Sequence, residues 1–159
     1  MATTPASVDK HPLHAILVAF PIGLWTFSLV CDLIFRFASR EPVWHLMGWY
    51  TLVAGVIGAV MAAVPGVIDF FSITDPRVGK VGMAHLVINV GLVALYSINA
   101  WLRTVVGPDS VVPVLLSVVG VAGLVVTVWL GGEMVYVHKV GVAQGEAHPA
   151  SRRSSKRAA

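Results

Sequence analysis

Charged side chains and cysteine are scarce in this chain of 159 residues. Only 12% of the residues are charged, whereas 57% are hydrophobic, and soluble domains typically have about 25% charged residues. The single cysteine, Cys31, excludes an intramolecular disulfide and the cysteine set of an iron–sulfur cluster. This composition excludes an ordinary soluble domain and favours a protein embedded in lipid.

Motifs of classical enzymes are also missing. The sequence contains no phosphate-binding glycine loop, no His-Glu-x-x-His helix and no Ser-His-Asp order. We therefore predict no catalytic residue, and we favour a binding or electron-transfer protein over an enzyme. No nucleic-acid motif and no repeat unit is visible, and the net charge of +3 is read as a signal of membrane topology rather than of nucleic-acid binding.

Four long apolar stretches account for the hydrophobic excess. Each reaches the ~20 residues that a helix needs to cross a bilayer, and each is too long and continuous for a barrel strand. The stretches are Ala15–Phe35, Val43–Val64, Met83–Leu102 and Val111–Val137. Because short loops join them, we predict an all-α membrane protein with four transmembrane helices in an up-down bundle. The predicted domains are a flexible N-terminus over residues 1–10, the four-helix domain over 11–142, and a disordered basic tail over 143–159.

The distribution of basic residues predicts the orientation. With four spans both termini lie on one side, and that side holds eight of the eleven Lys and Arg residues, four of them in the C-terminal tail. The other side holds Arg36, Arg40 and Arg103. By the positive-inside rule, both termini are expected in the cytoplasm.

Three histidines are placed where three spans reach this cytoplasmic side. They are His14, His85 and His138, and a histidine in an apolar span is costly enough to mark a site. The third span carries its polar side chains on one stripe, and the fourth carries a seam of small residues that leads to His138. The stripe is His85, Asn89, Leu92, Tyr96, Asn99 and Arg103. The predicted bundle places the first and third spans on a diagonal, with the fourth beside both.

Converging imidazoles suggest three alternatives. The first is one b-type haem, with His14 and His85 as axial ligands and His138 as an alternative ligand or a partner of the propionates. The second is a divalent metal ion, for transport or sensing. Its candidate ligands are His11, His14, His85, His138, Asp69 and Glu133. The third is a polar plug in a structural or assembly subunit that binds no ligand.

The opposite membrane side offers a second polar cluster. It comprises Asp32, His45, Tyr50 and Arg103, with only one histidine. We interpret it as an ion-pair network.

Three sequence runs together resemble a bacterial membrane-protein family called "domain of unknown function 2231". The runs are His11-Pro12-Leu13-His14 followed by Phe20-Pro21-Ile22-Gly23, His85-Leu86-Val87-Ile88-Asn89, and Gly131 to Val142. One departure is Ala19, where some members carry a histidine. The resemblance implies a four-helix module of the bacterial inner membrane that can accompany Rieske-type iron–sulfur domains, and hence a redox setting.

Overall fold

A computed structural model of the protein describes residues 5–9 and 11–141. Its helices are α1 (Leu13–Leu17), α2 (Ala19–Phe37), α3 (Pro42–Phe71), α4 (Pro76–Val105) and α5 (Val112–Gly132), and a π-helical turn (Glu133–Val137) follows α5. The described residues form four spans that are long and apolar enough to cross a membrane. These spans are Leu13–Phe37, Pro42–Phe71, Pro76–Val105 and Val112–Val137. The prediction of an all-α membrane protein with four spanning helices is confirmed.

Proline has different effects in the first two spans. In the first span the helix is interrupted at Val18, three residues before Pro21, because a proline ring disturbs the preceding turn of a helix. The second apolar stretch of the sequence, Val43–Val64, stops directly before Pro65 and predicts that the helix ends there. That expectation was wrong, because α3 continues through Pro65 to Phe71. Helices in lipid tolerate proline when their neighbours satisfy the backbone groups that it releases.

A short hairpin precedes the first span. Strand β1 (Ser7–Val8) pairs antiparallel with β2 (His11–Pro12), and the Ala6 N–H donates to Asp69 Oδ1 at 2.9 Å. This ties the segment to the end of α3, an arrangement that the prediction of a flexible N-terminus over residues 1–10 does not include. The predicted tail over 143–159 lies outside the described residues.

The four spans form a closed ring of neighbours. Helix α2 packs against α3 and α5, and α4 packs against the same two helices. The first and third spans are therefore diagonal, as the up-down arrangement predicts, and their facing side chains meet along the centre of the bundle.

The structure reveals an internal repeat that the sequence analysis did not detect. The first two spans and the last two spans place equivalent residues in equivalent positions. Side chains that meet across the bundle centre are separated by the same 71 residues, namely His14 and His85, Trp25 and Tyr96, and Asp32 and Arg103. The pattern of neighbouring helices is unchanged when the two halves are exchanged. The molecule is thus a parallel repeat whose halves are related by an approximate twofold axis along the bundle, as in some transporters.

The second helix of each half follows the same rule with a spacing of 65 residues. Gly55 lies against Trp25, and Gly120 lies against the equivalent Tyr96. The Ser28 hydroxyl donates to the Gly48 carbonyl, and the equivalent Asn99 amide donates to the equivalent carbonyl of Pro113. The repeat therefore extends to individual hydrogen bonds.

Candidate ligand site: two facing histidines

His14 and His85 face each other across the approximate axis. Their ring centroids are 6.1 Å apart and the ring planes are inclined at 83°. Both side chains are half-buried. They come from diagonal helices, one from each half of the repeat, so the site lies at the interface between the halves.

Each ring is held by its Nδ1 atom. His14 Nδ1 lies 2.9 Å from the Ala62 carbonyl oxygen, and His85 Nδ1 lies 3.0 Å from the Thr127 carbonyl oxygen. A carbonyl oxygen only accepts, so each Nδ1 carries a proton and donates it. In a neutral imidazole this leaves the Nε2 lone pair available. Neither Nε2 atom has a hydrogen-bond partner among the described residues.

Each imidazole ring packs against a glycine that lies one helical turn after the carbonyl accepting its hydrogen bond. A Cβ atom at Gly66 would lie 2.6 Å from His14 Nδ1, and one at Gly131 would lie 3.3 Å from His85 Cε1. These glycines occupy equivalent positions in the two halves. The structure thus shows Gly131 packed against His85.

The second half adds side-chain contacts to its histidine. Thr127 Oγ1 lies 3.0 Å from His85 Nδ1. The Asn89 amide donates to Thr127 Oγ1 at 2.5 Å and to the His85 carbonyl at 2.7 Å. Asn89 and Thr127 therefore fix both the ring and the backbone of His85.

The other candidate ligands have separate partners. His138 Nε2 is 3.8 Å from Glu133 Oε1, and exposed His11 bonds the Asp9 carbonyl. Asp69 accepts from the Ala6 N–H. Within residues 5–9 and 11–141, no three His, Cys, Asp or Glu side chains are grouped so that they could hold a metal ion. Among the six predicted ligands, the structure thus brings together two separate pairs, His14 with His85 and His138 with Glu133.

The opposite end contains the predicted ion pair. Arg103 donates to both Asp32 carboxylate oxygens, at 2.7 and 2.5 Å, and also to Asn99 and Ser117. Its side chain is 1% exposed. His45 makes no hydrogen bond to this network among the described residues, but it lines the same cavity as Asp32 and Arg103, with its ring 5.6 Å from that of Phe35. Tyr50 is exposed beside Trp49.

A family model described as "Predicted membrane protein (DUF2231)" matches residues 10–144. The chain belongs to this family. No curated protein and no solved structure matches it. The region that matches the DUF2231 model contains both the histidine pair, His14 and His85, and the ion pair, Asp32 and Arg103.

Sequence reasoning missed three parts of the DUF2231 site: the two accepting carbonyls, the role of Gly66 and the contact of Thr127 with His85. The seam of small residues in the fourth span includes Thr127 and Gly131, and the polar stripe of the third span includes His85 and Asn89. The available signal was the repeat itself, because Gly66 is equivalent to Gly131.

Proposed function

We propose that the protein binds one b-type haem between His14 and His85 and acts as a small electron-transfer module. The observation that carries the proposal is the paired geometry of the two imidazoles. Each ring donates Nδ1–H to a backbone carbonyl, and each therefore presents Nε2 as a ligand atom. Such bonds from the ring N–H of a metal-ligating histidine orient the ring and raise its basicity.

The ring spacing fits a shared metal ion. A metal–imidazole bond is about 2 Å long and the ring centroid lies about 1 Å further on, so two rings on opposite sides of one ion would have their centroids about 6 Å apart. The observed separation is 6.1 Å. Nothing in this geometry requires a third protein ligand.

The number of ligands favours haem over another metal. A structural zinc site takes four protein ligands and a catalytic one takes three, whereas the described residues group only two. A haem iron with two axial histidines is complete, because the porphyrin supplies the remaining ligands. When bound, such a group supplies one-electron redox chemistry. His14 and His85 would fill both axial positions and leave no open coordination site.

The proposal includes a location and a partner. We place the protein in the bacterial inner membrane with both termini in the cytoplasm, because eight of the eleven basic residues belong to that side. The histidine pair then lies at the cytoplasmic end of the bundle. A Rieske-type iron–sulfur protein or another one-electron carrier is the class of partner that suits this site.

The test is an absorption spectrum of the detergent-purified protein before and after reduction with dithionite. We expect a Soret band that shifts on reduction. His14→Ala and His85→Ala should each lose the haem or the low-spin spectrum, because each removes one axial ligand. The matched control is His45→Ala at the opposite end, which should keep the wild-type spectrum.

Other outcomes would contradict the proposal. A colourless protein with stoichiometric zinc, copper or iron would support the metal-binding alternative. A protein with neither haem nor metal would support a structural subunit. A haem that survives both His14→Ala and His85→Ala with an unchanged spectrum would assign its ligands to other residues.

A further inference from the structure

The two proposed ligands occupy equivalent positions but have unequal surroundings. In the first half, His14 Nδ1 donates to the Ala62 carbonyl, and no side chain in the described part of the chain adds a second acceptor. In the second half, the residue equivalent to Ala62 is Thr127, and the residue equivalent to Val18 is Asn89. The second half therefore adds a hydroxyl and an amide where the first half has a methyl and an isopropyl group.

These two added groups form one connected unit around His85. Thr127 presents two oxygen atoms, its carbonyl and its hydroxyl, each 3.0 Å from His85 Nδ1. Asn89 fixes the hydroxyl by donating to it, and its other contact is the His85 carbonyl one turn earlier on the same helix. Thr127 is 3% exposed, so water does not compete strongly for these bonds.

We propose that Thr127, held by Asn89, is a positioning residue that would strengthen His85 as a haem ligand. The inference rests on the proposed function. A second acceptor for the Nδ1 proton increases the electron density that the ring offers to a metal. A ligand of greater donor strength stabilises oxidised iron more than reduced iron, so this unit would lower the reduction potential of a bound haem.

The test is a redox titration of the haem-loaded full chain with three variants. Thr127→Val removes the hydroxyl and keeps the shape and the carbonyl, whereas Thr127→Ser keeps the hydroxyl. Thr51→Val is the matched control, since the Thr51 hydroxyl bonds its own helix at the Met47 carbonyl.

We expect Thr127→Val to raise the potential. At the wild-type midpoint, the ratio of reduced to oxidised haem should rise about tenfold, which corresponds to ~59 mV for one electron. Thr127→Ser should restore the wild-type value, and Thr51→Val should not change it. A shift for Thr127→Val no larger than that for Thr51→Val would overturn the inference.

A second measurement separates this inference from the haem proposal. In the haem-free protein with ¹⁵N-labelled histidine, nuclear magnetic resonance should show a protonated Nδ1 on His85. Its proton should exchange with solvent several times faster in Thr127→Val, while that of His14 should not change. Equal exchange of the His85 proton in wild type and Thr127→Val would refute the positioning role. Absence of haem from the wild type would refute the proposed function instead.

Discussion

The two ends of the bundle centre both place polar side chains across the approximate twofold axis, one from each half. At one end, Asp32 and Arg103 differ in chemistry and complete each other through two hydrogen bonds, with Asn99 and Ser117 bonding the remaining polar atoms. At the other end, both halves contribute histidine, and the two rings bond the backbone rather than each other.

This difference separates a structural cluster from a candidate binding site. Equivalent residues along the axis have diverged to Trp25 and Tyr96 in one layer and to Asp32 and Arg103 in another. At the second of these levels, divergence to complementary groups lets the two halves satisfy each other's polar atoms. Two identical imidazoles with available Nε2 atoms do not satisfy each other, and for this reason the histidine end is the one that we propose as the ligand site.

The largest expected effect concerns the ion-pair end. Arg103→Leu leaves the Asp32 carboxylate buried without its cation, and breaking a buried pair in this way costs roughly 3–5 kcal/mol. The double variant Asp32→Leu with Arg103→Leu should recover much of this loss, because it removes both charges. The measurement is the free energy of unfolding in mixed detergent micelles. An equal loss in the single and the double variant would show that packing, and not charge pairing, stabilises this end.

The next effect concerns the space around His14. Gly66→Ala places a Cβ atom 2.6 Å from His14 Nδ1, so the ring must move and lose its bond to the Ala62 carbonyl. We expect most of the bound haem to be lost, together with about 1–3 kcal/mol of stability from overpacking. The matched control is Gly23→Ala, because a Cβ at Gly23 meets nothing within 4 Å.

Gly23→Ala should retain the haem and gain up to about 1 kcal/mol from helix propensity. Haem content per chain and melting temperature check both variants. If Gly66→Ala keeps the full haem content, the histidine end tolerates a displaced ring and the Nδ1 bond is not required.

The smallest effect lies between the two ends. Tyr96 Oη is fully buried and has no hydrogen-bond partner among the described residues, which costs about 1–3 kcal/mol in a protein interior. Tyr96→Phe keeps the stacking on Trp25 and should stabilise the protein by about 1 kcal/mol in thermal unfolding. Tyr50→Phe, at an exposed tyrosine, should have no effect. Destabilisation by Tyr96→Phe would mean that the Tyr96 hydroxyl has a hydrogen-bond partner. The hydroxyl would then connect the histidine end of the bundle with the ion-pair end.

The spans and their arrangement could be predicted from the sequence because hydrophobicity and short loops dictate them. The inward stripe from His85 to Arg103 followed from helical spacing, and so did the grouping of His14 with His85. His138 was extrapolated along the fourth span with α-helical periodicity. The helix changes to a π-helical turn at Glu133, which adds a residue to the turn and rotates the chain that follows.

The repeat escaped detection for two physical reasons. Its first helices are separated by 71 residues and its second helices by 65, so no single period relates the halves. Several equivalent positions of the two halves also hold residues of different types, such as Asp32 in the first half and Arg103 in the second. Backbone carbonyl acceptors such as that of Ala62 leave no trace in a sequence.

The most direct test of the account is the electron paramagnetic resonance spectrum of the oxidised, haem-loaded protein. Axial imidazole planes inclined at 83° leave two iron d orbitals nearly equal in energy, so the account predicts a strongly anisotropic low-spin ferric signal. A high-spin signal would show that one histidine does not bind the iron, and a rhombic low-spin signal would require nearly parallel rings. The high-spin signal, or the absence of a haem signal, would contradict ligation by His14 and His85, whereas the rhombic signal would contradict the 83° inclination of their rings.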